Sequence, residues 1–225
     1  MIERFQNLDW GYYGPELLTA VGDTLYMVGV STVLTVLIGV PLGVLLTITA
    51  PGALSPRPVV HRVLGLVVNL GRSLPFIILL VLVAPVTRGI VGTTIGSTAT
   101  IVPLTIGAVP FLARLVETSP REVSPGKVEA TLSMGARRRD VVRTVLLPEA
   151  LPSLVAGATV TVVALISYSA MAGAIGGGGL GDFAIRYGYQ QFRTDITVIT
   201  VVLLLVVVQL LQWAGDRWAR RLAHA

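Results

Sequence analysis

Five long runs without a charged residue dominate this chain, and they leave it few folds. They lie within Thr24–Pro56, Val63–Pro85, Gly89–Ala113, Ala150–Gly181 and Ile196–Gly215, and Arg72 is the single charge that interrupts any of them. A helix needs about 20 mostly apolar residues to cross the hydrocarbon of a bilayer. The runs therefore predict an all-α, polytopic bundle of five transmembrane helices. Charged residues make up 13% of the chain, against about 25% in soluble domains. There is no cysteine, and the two histidines, His61 and His224, lie far apart. Disulfides, thiolate metal sites and a histidine metal cluster are therefore not expected, and no metal or cofactor is expected in this chain.

Lys and Arg set the orientation. One group of loops carries Arg57, Arg62, Arg114, Arg121, Lys127, Arg137, Arg138, Arg139, Arg143, Arg217, Arg220 and Arg221, and the other only Arg4, Arg88, Arg186 and Arg193. The basic group is expected in the cytoplasm, and five spans then place the N-terminus outside and the C-terminus inside. Positive charge gathered at the ends of apolar runs argues for a membrane and against nucleic acid. The segment 1–21, with Glu3, Arg4, Asp9 and Glu16 and no apolar h-region, does not look like a cleavable signal peptide. It is expected to be extracytoplasmic or interfacial, with Trp10, Tyr12 and Tyr13 at headgroup level. Residues 22–215 form the membrane domain, with a hydrophilic insert over 118–150, and 216–225 form a basic cytoplasmic tail.

The insert is the unusual part. "EVSPGKVEATLSMGA" begins with a helix start, Ser124 as N-cap and Pro125 in the first helical position, and Gly135 suits a left-handed stop. Val128 and Leu132 share a face at i, i+4. A helix this short is marginal alone in water and must pack on something. Arg137–Arg139 complement its carbonyl end. A second helix is expected from about Asp140, with Val141/Val145 and Val142/Leu146 as its apolar stripe, and Pro148 and Pro152 are expected to bracket the return to the membrane.

Glu129, Ala130 and Thr131, then Gly135, then Val145, Leu147 and Pro148 follow the spacing E-A-A-x3-G-x9-I-x-L-P. With Thr in the third position and Val for Ile, both of similar size, this resembles the cytoplasmic signature of permeases of ATP-binding cassette importers. The resemblance implies a type I importer permease fold and a coupling helix that sits in a groove of an ATPase. Glu129, Ala130, Thr131, Gly135, Leu147 and Pro148 would be the coupling residues.

The chain has no G-x-x-x-x-G-K-[S/T], so ATP and Mg are expected in a separate subunit and this chain is not expected to be an enzyme. "GGGGLG", Gly176–Gly181, meets G-x-G-x-x-G by letter. No strand or βαβ unit precedes it, and it reads as a flexible or closely packed turn at the outer end of the fourth span. In "LISYSAMAGAIGGGG", Met171 stands among Ser167, Ser169 and other small residues. A bulky thioether there is a candidate gate, meeting its counterpart in a second subunit, or a gap-filling core methionine. Arg72 either caps carbonyls near Pro75 or faces the pathway.

Five segments, "TLYMVGVSTVLTVLIGVPLGVLL", "RSLPFIILLVLVAPVTRGIVGTTIG", "ATIVPLTIGAVPFLARLVE", "YSAMAGAIGGGGLGDFAIRYGYQ" and "GDRWARR", are similar to the methionine-importer permeases of this type. That resemblance implies a homodimer in a bacterial inner membrane, carrying L- and D-methionine. It also implies two ATPase subunits and an extracytoplasmic binding protein, often a lipoprotein. Cargo comes from the resemblance alone, with another small amino acid, a sulfur compound or a dipeptide as the alternatives. A secondary transporter or channel is disfavoured, because the spans hold no carboxylate and five spans do not divide into equal repeats. No nucleophile–base pair or set of paired carboxylates supports a membrane enzyme.

Overall fold

The computed structural model describes residues 9–119 and 125–223. Glu3, Arg4, Arg121, the N-cap Ser124 and His224 lie outside the described residues. The elements are α1 (Trp10–Thr49), α2 (Pro58–Ser73), α3 (Phe76–Leu82), α4 (Ala84–Val91), α5 (Ser97–Thr118), α6 (Pro125–Ser133) and α7 (Arg138–Val141). A π-helical turn (Val142–Leu146), α8 (Leu147–Gly173), α9 (Gly179–Phe183), a second π-helical turn (Ala184–Tyr189) and α10 (Thr194–Ala223) complete the order. No strand occurs among the described residues, so the all-α expectation holds. By length and composition α1, α5, Arg138–Gly173 and α10 can each cross a membrane, and α2 with α3 counted as one broken span brings the number to five.

Helix bounds depart from the apolar runs in three places. α1 starts at Trp10, well before Thr24, and α10 runs on through the basic tail to Ala223. An apolar run measures the hydrocarbon, whereas a helix continues for as long as its backbone bonds do. The second span is broken, not straight: α2 ends at Ser73 and α3 starts after Pro75. Proline has no N–H and disfavours helical geometry in the residue before it, so the chain stops being helical at Leu74. α5, by contrast, runs unbroken through Pro103 and Pro110.

Two compact units divide the chain. One comprises 1–34, 74–107 and 162–211, the other 35–73, 108–161 and 212–225. In the first, Tyr13, Ala20, Leu180, Phe183, Tyr187 and Ile196 form a buried cluster. Phe76 stacks on Tyr168 with ring centroids 4.5 Å apart. The glycine turn is closely packed: Gly179 has φ +76, and a Cβ there would lie 2.6 Å from the Thr24 hydroxyl. That hydroxyl accepts the Leu180 N–H at 2.8 Å. In the second unit Leu46, Val68 and Ala113 form the cluster, joined by Leu42 and Leu64. Gly43 lies so close to Val116 that a Cβ would stand 2.5 Å from its Cβ, the approach that small residues allow in membrane bundles.

Candidate functional site: the insert helix and its junction

The residues of the signature are carried on α6 and on the helical stretch that follows it. α6 starts at Pro125, and beyond Ser133 it is closed by backbone bonds. The Gly135 N–H donates to Leu132 O at 2.9 Å and the Ala136 N–H to Thr131 O at 3.4 Å. This paired closure requires a left-handed residue at the stop, and Gly135 has φ +83. The carbonyls of Ala130, Thr131 and Leu132 are thus met by main-chain donors. All three arginines are exposed. Asp140 instead accepts the Arg137 N–H at 3.3 Å and caps the start of α7.

Glu129 and Ala130 are exposed, and Thr131, half-buried, donates its hydroxyl to Lys127 O at 2.7 Å. Val128, Glu129 and Leu132 border a cleft of about 590 Å³ together with Thr47, Leu54 and Leu146. The shared face of Val128 and Leu132 is therefore where the spacing placed it. Lys127 Nζ reaches Glu149 Oε1 at 2.6 Å, tying α6 to the first turn of α8. Both side chains are about half exposed, so the pair contributes roughly 0–1 kcal/mol and its value is in direction.

The junction differs from expectation. Pro148 and Pro152 do not bracket a return to the membrane, because helix runs without interruption from Arg138 to Gly173. The second helix of the insert is the lower end of a span. A π-helical turn makes this possible: the Leu147 N–H donates to Val142 O, five residues back. The wider turn lies directly before Pro148, a residue that disfavours the tight turn of a regular α-helix beneath it. Leu147 is half-buried and Pro148 exposed, while Val141 is fully buried. The signature residues are thereby divided between a short exposed helix, Glu129 to Gly135, and a wide-turn junction at Leu147 and Pro148. The spacing gave their positions; the π-turn itself carries no sequence signal beyond Pro148.

The pathway candidates are not all on one face. Met171 is 41% exposed and Ser167, one turn before it, is exposed too, whereas Ser169 is buried and donates to Ile166 O at 2.8 Å. Arg72 is not deep in a straight span; it is exposed in the last turn of α2. No carboxylate forms an ion pair with it among the described residues.

A polar network that the spacing did not reveal lies at the start of α10. The Arg193 guanidinium donates to Asp195 Oδ2 at 2.8 Å and to the Tyr13 hydroxyl at 3.2 Å, and stands 5.1 Å over the Tyr13 ring. The Asp195 hydrogen bond, the largest cause, holds the Arg193 pKa above its ordinary value. Tyr13 is buried by this network, so of the three expected belt aromatics only Trp10 and Tyr12 are exposed. Burial, then Glu16, raises the pKa of Tyr187, which packs edge-on against Tyr13 at 5.7 Å.

Residues 39–224 match the model of the family described as binding-protein-dependent transport system inner membrane component. The chain is 53% identical over 208 residues, 92% of each sequence, to the "Probable D-methionine transport system permease protein MetI" of Vibrio cholerae. It is 45% identical to the methionine import system permease protein MetP of Bacillus subtilis, with 96% of each sequence covered. Among solved structures it is similar to a chain of the inward-facing MetNI methionine ABC transporter, with a TM-score of 0.90 and 48% identity over 92% of this chain and 96% of that one. A chain from the structure of an amino acid ABC transporter shares the fold at 20% identity and a TM-score of 0.78.

Proposed function

The chain belongs to the binding-protein-dependent transport system inner membrane component family, and from that premise we propose that it is the membrane permease of a methionine ABC importer. The observation that carries this reading is the exposed, glycine-stopped helix α6, which bears Glu129 and Ala130 at the signature spacing and leads into a helix long enough to cross the membrane. Methionine is the cargo supported by relatives that the chain matches over almost its whole length, one named for D-methionine and the other for methionine.

In this reading two copies of the chain form the pathway, and each takes up one ATPase subunit at α6. ATP and Mg are held by that ATPase, and the chain itself holds no cofactor. A binding protein, often lipid-anchored, delivers the solute from outside. The charge bias puts α6 and the basic end of α10 in the cytoplasm and the N-terminus outside. Glu129, Ala130 and Gly135 make the groove contact. Small residues let the partner backbone approach, and a closed helix passes on displacement better than a loop. Leu147 and Pro148 carry it into α8. Met171, with Ser167 on the same exposed face, narrows the pathway, and Arg72, in the last turn of α2, caps carbonyls near Pro75 or faces the pathway.

The test is ATP-dependent uptake of labelled methionine by proteoliposomes holding this chain, its ATPase and its binding protein. Uptake is expected to be displaced by unlabelled methionine and not by an equal excess of a dipeptide or a sulfur-free amino acid. Displacement by all of them alike would overturn the cargo assignment.

A further inference from the structure

α10 is longer than a bilayer needs. Its 30 residues span about 45 Å at the rise of an α-helix, against about 30 Å of hydrocarbon. Asp195 and Asp216 bound its charge-free part, so the last two turns lie beyond the hydrocarbon. Gly215 fixes how this end is turned, because it lies against Thr159 of α8 with no room for a Cβ. At about 3.6 residues per turn, Trp213, Arg217 and Arg220 stand on the side of α10 away from that contact. All three are exposed. The same face continues along the helix through Leu210, Val206 and Val202, which are exposed as well. Its order is aliphatic, aromatic, basic, the order of hydrocarbon, interface and headgroup in a leaflet. The Arg217 guanidinium stands over the Trp213 ring, 5.7 Å from its centroid, which steadies the cation. Arg217, Arg220 and the exposed Arg221 form no ion pair among the described residues.

We propose that this end of α10 is a binding site for anionic phospholipid. Arg217 and Arg220 take the headgroup phosphate, Arg221 adds its charge beside them, and Trp213 packs beneath, where the headgroup meets the acyl chains. A guanidinium offers phosphate two parallel N–H···O bonds. Each arginine near the surface also favours an anionic lipid over a neutral one through its charge. Basic residues at the end of a span are expected of membrane proteins in general. Placing them in register above a tryptophan, on a face that is aliphatic below, is a further condition, and this helix meets it. An acidic protein surface is the other partner that such a cluster could meet. The lower part of the face decides between them. Val202, Val206 and Leu210 carry it about three turns into the hydrocarbon, where the acyl chains of a lipid held at Arg217 follow and a soluble partner does not. The site needs only a bilayer around the chain, as the family's description as an inner membrane component provides, and is independent of the cargo.

The experiment places the permease–ATPase complex in nanodiscs of equal phosphatidylglycerol and phosphatidylcholine, with bromine on the acyl chains of one lipid or of the other. The fluorescence difference between the complex and its Trp213→Phe form isolates Trp213. Bromine on phosphatidylglycerol is expected to quench that signal as though the anionic lipid bound about fivefold or more tightly than the neutral one. Arg217→Gln/Arg220→Gln is expected to bring the two lipids close to equal quenching. Arg217→Lys/Arg220→Lys, which keeps the charge, is expected to retain a preference. Equal quenching by the two lipids in the wild type would overturn the proposal and leave a lipid-facing surface without selectivity. A preference that the glutamine variant keeps in full would overturn it too. So would a signal that neither lipid quenches, which would assign the face to protein, a second copy of the chain or the ATPase.

Discussion

Glu129 stands exposed on α6 and forms no ion pair among the described residues. A carboxylate displayed on a small, stiff helix is available to a partner at no cost to the fold. Glu129→Arg reverses that charge without touching a span. It is expected to abolish co-purification with the ATPase while membrane insertion stays at wild-type level; an intact complex would move the principal contact elsewhere. Met171 is expected to matter differently. Met171→Ala opens the exposed face it shares with Ser167 and should raise methionine leak in the absence of ATP, measured by efflux from loaded proteoliposomes. Unchanged efflux would leave Met171 a packing residue. At this scale the signature residues were legible because their spacing is fixed by a helix and its stop. Ser169 was not separable from its neighbours by composition: a run of small residues does not say which of them faces inward. Arg193, Asp195 and Tyr13 were not legible as a group either, since Tyr13 lies 180 positions from Arg193.

Elements obey a different logic, in which close approach and backbone geometry decide. Gly181 lies directly against Ala170, with no space for even one added carbon, whereas Gly29 has nothing within 4 Å of a Cβ. Gly181→Ala is therefore expected to cost about 1–3 kcal/mol through overpacking and to lower the melting temperature of the purified protein by several degrees. Gly29→Ala should leave it unchanged or slightly raised, since alanine is the better helix former. Gly135→Val puts a β-branched side chain at φ +83 and is expected to unfold the end of α6, lowering transport with the permease still in the membrane; amide exchange over 128–136 would report it. Five apolar runs led to the spans, yet the break at Ser73–Pro75 and the continuous helix through Pro148 both went the other way from the simplest reading. In each case proline marks the place but not the outcome. Before Pro75 the helix stops, while at Pro148 the turn beneath it widens and the helix goes on.

For the whole molecule, the sequence pattern led to a membrane bundle with a hydrophilic insert, and the family match, the relatives and the fold agree with it. What composition cannot convey is assembly. Partner surfaces look like ordinary exposed residues in a single chain, so α6 stands out only through the signature spacing that it carries. The account holds that the chain is a passive frame moved from outside itself through α6. The most direct measurement is methionine accumulation by proteoliposomes containing the chain alone, the chain with its ATPase and binding protein, and the same complex carrying Glu129→Arg. Accumulation above the external concentration is predicted for the complete wild-type complex only. Uphill accumulation by the chain alone, or by the Glu129→Arg complex at the wild-type rate, would contradict the account.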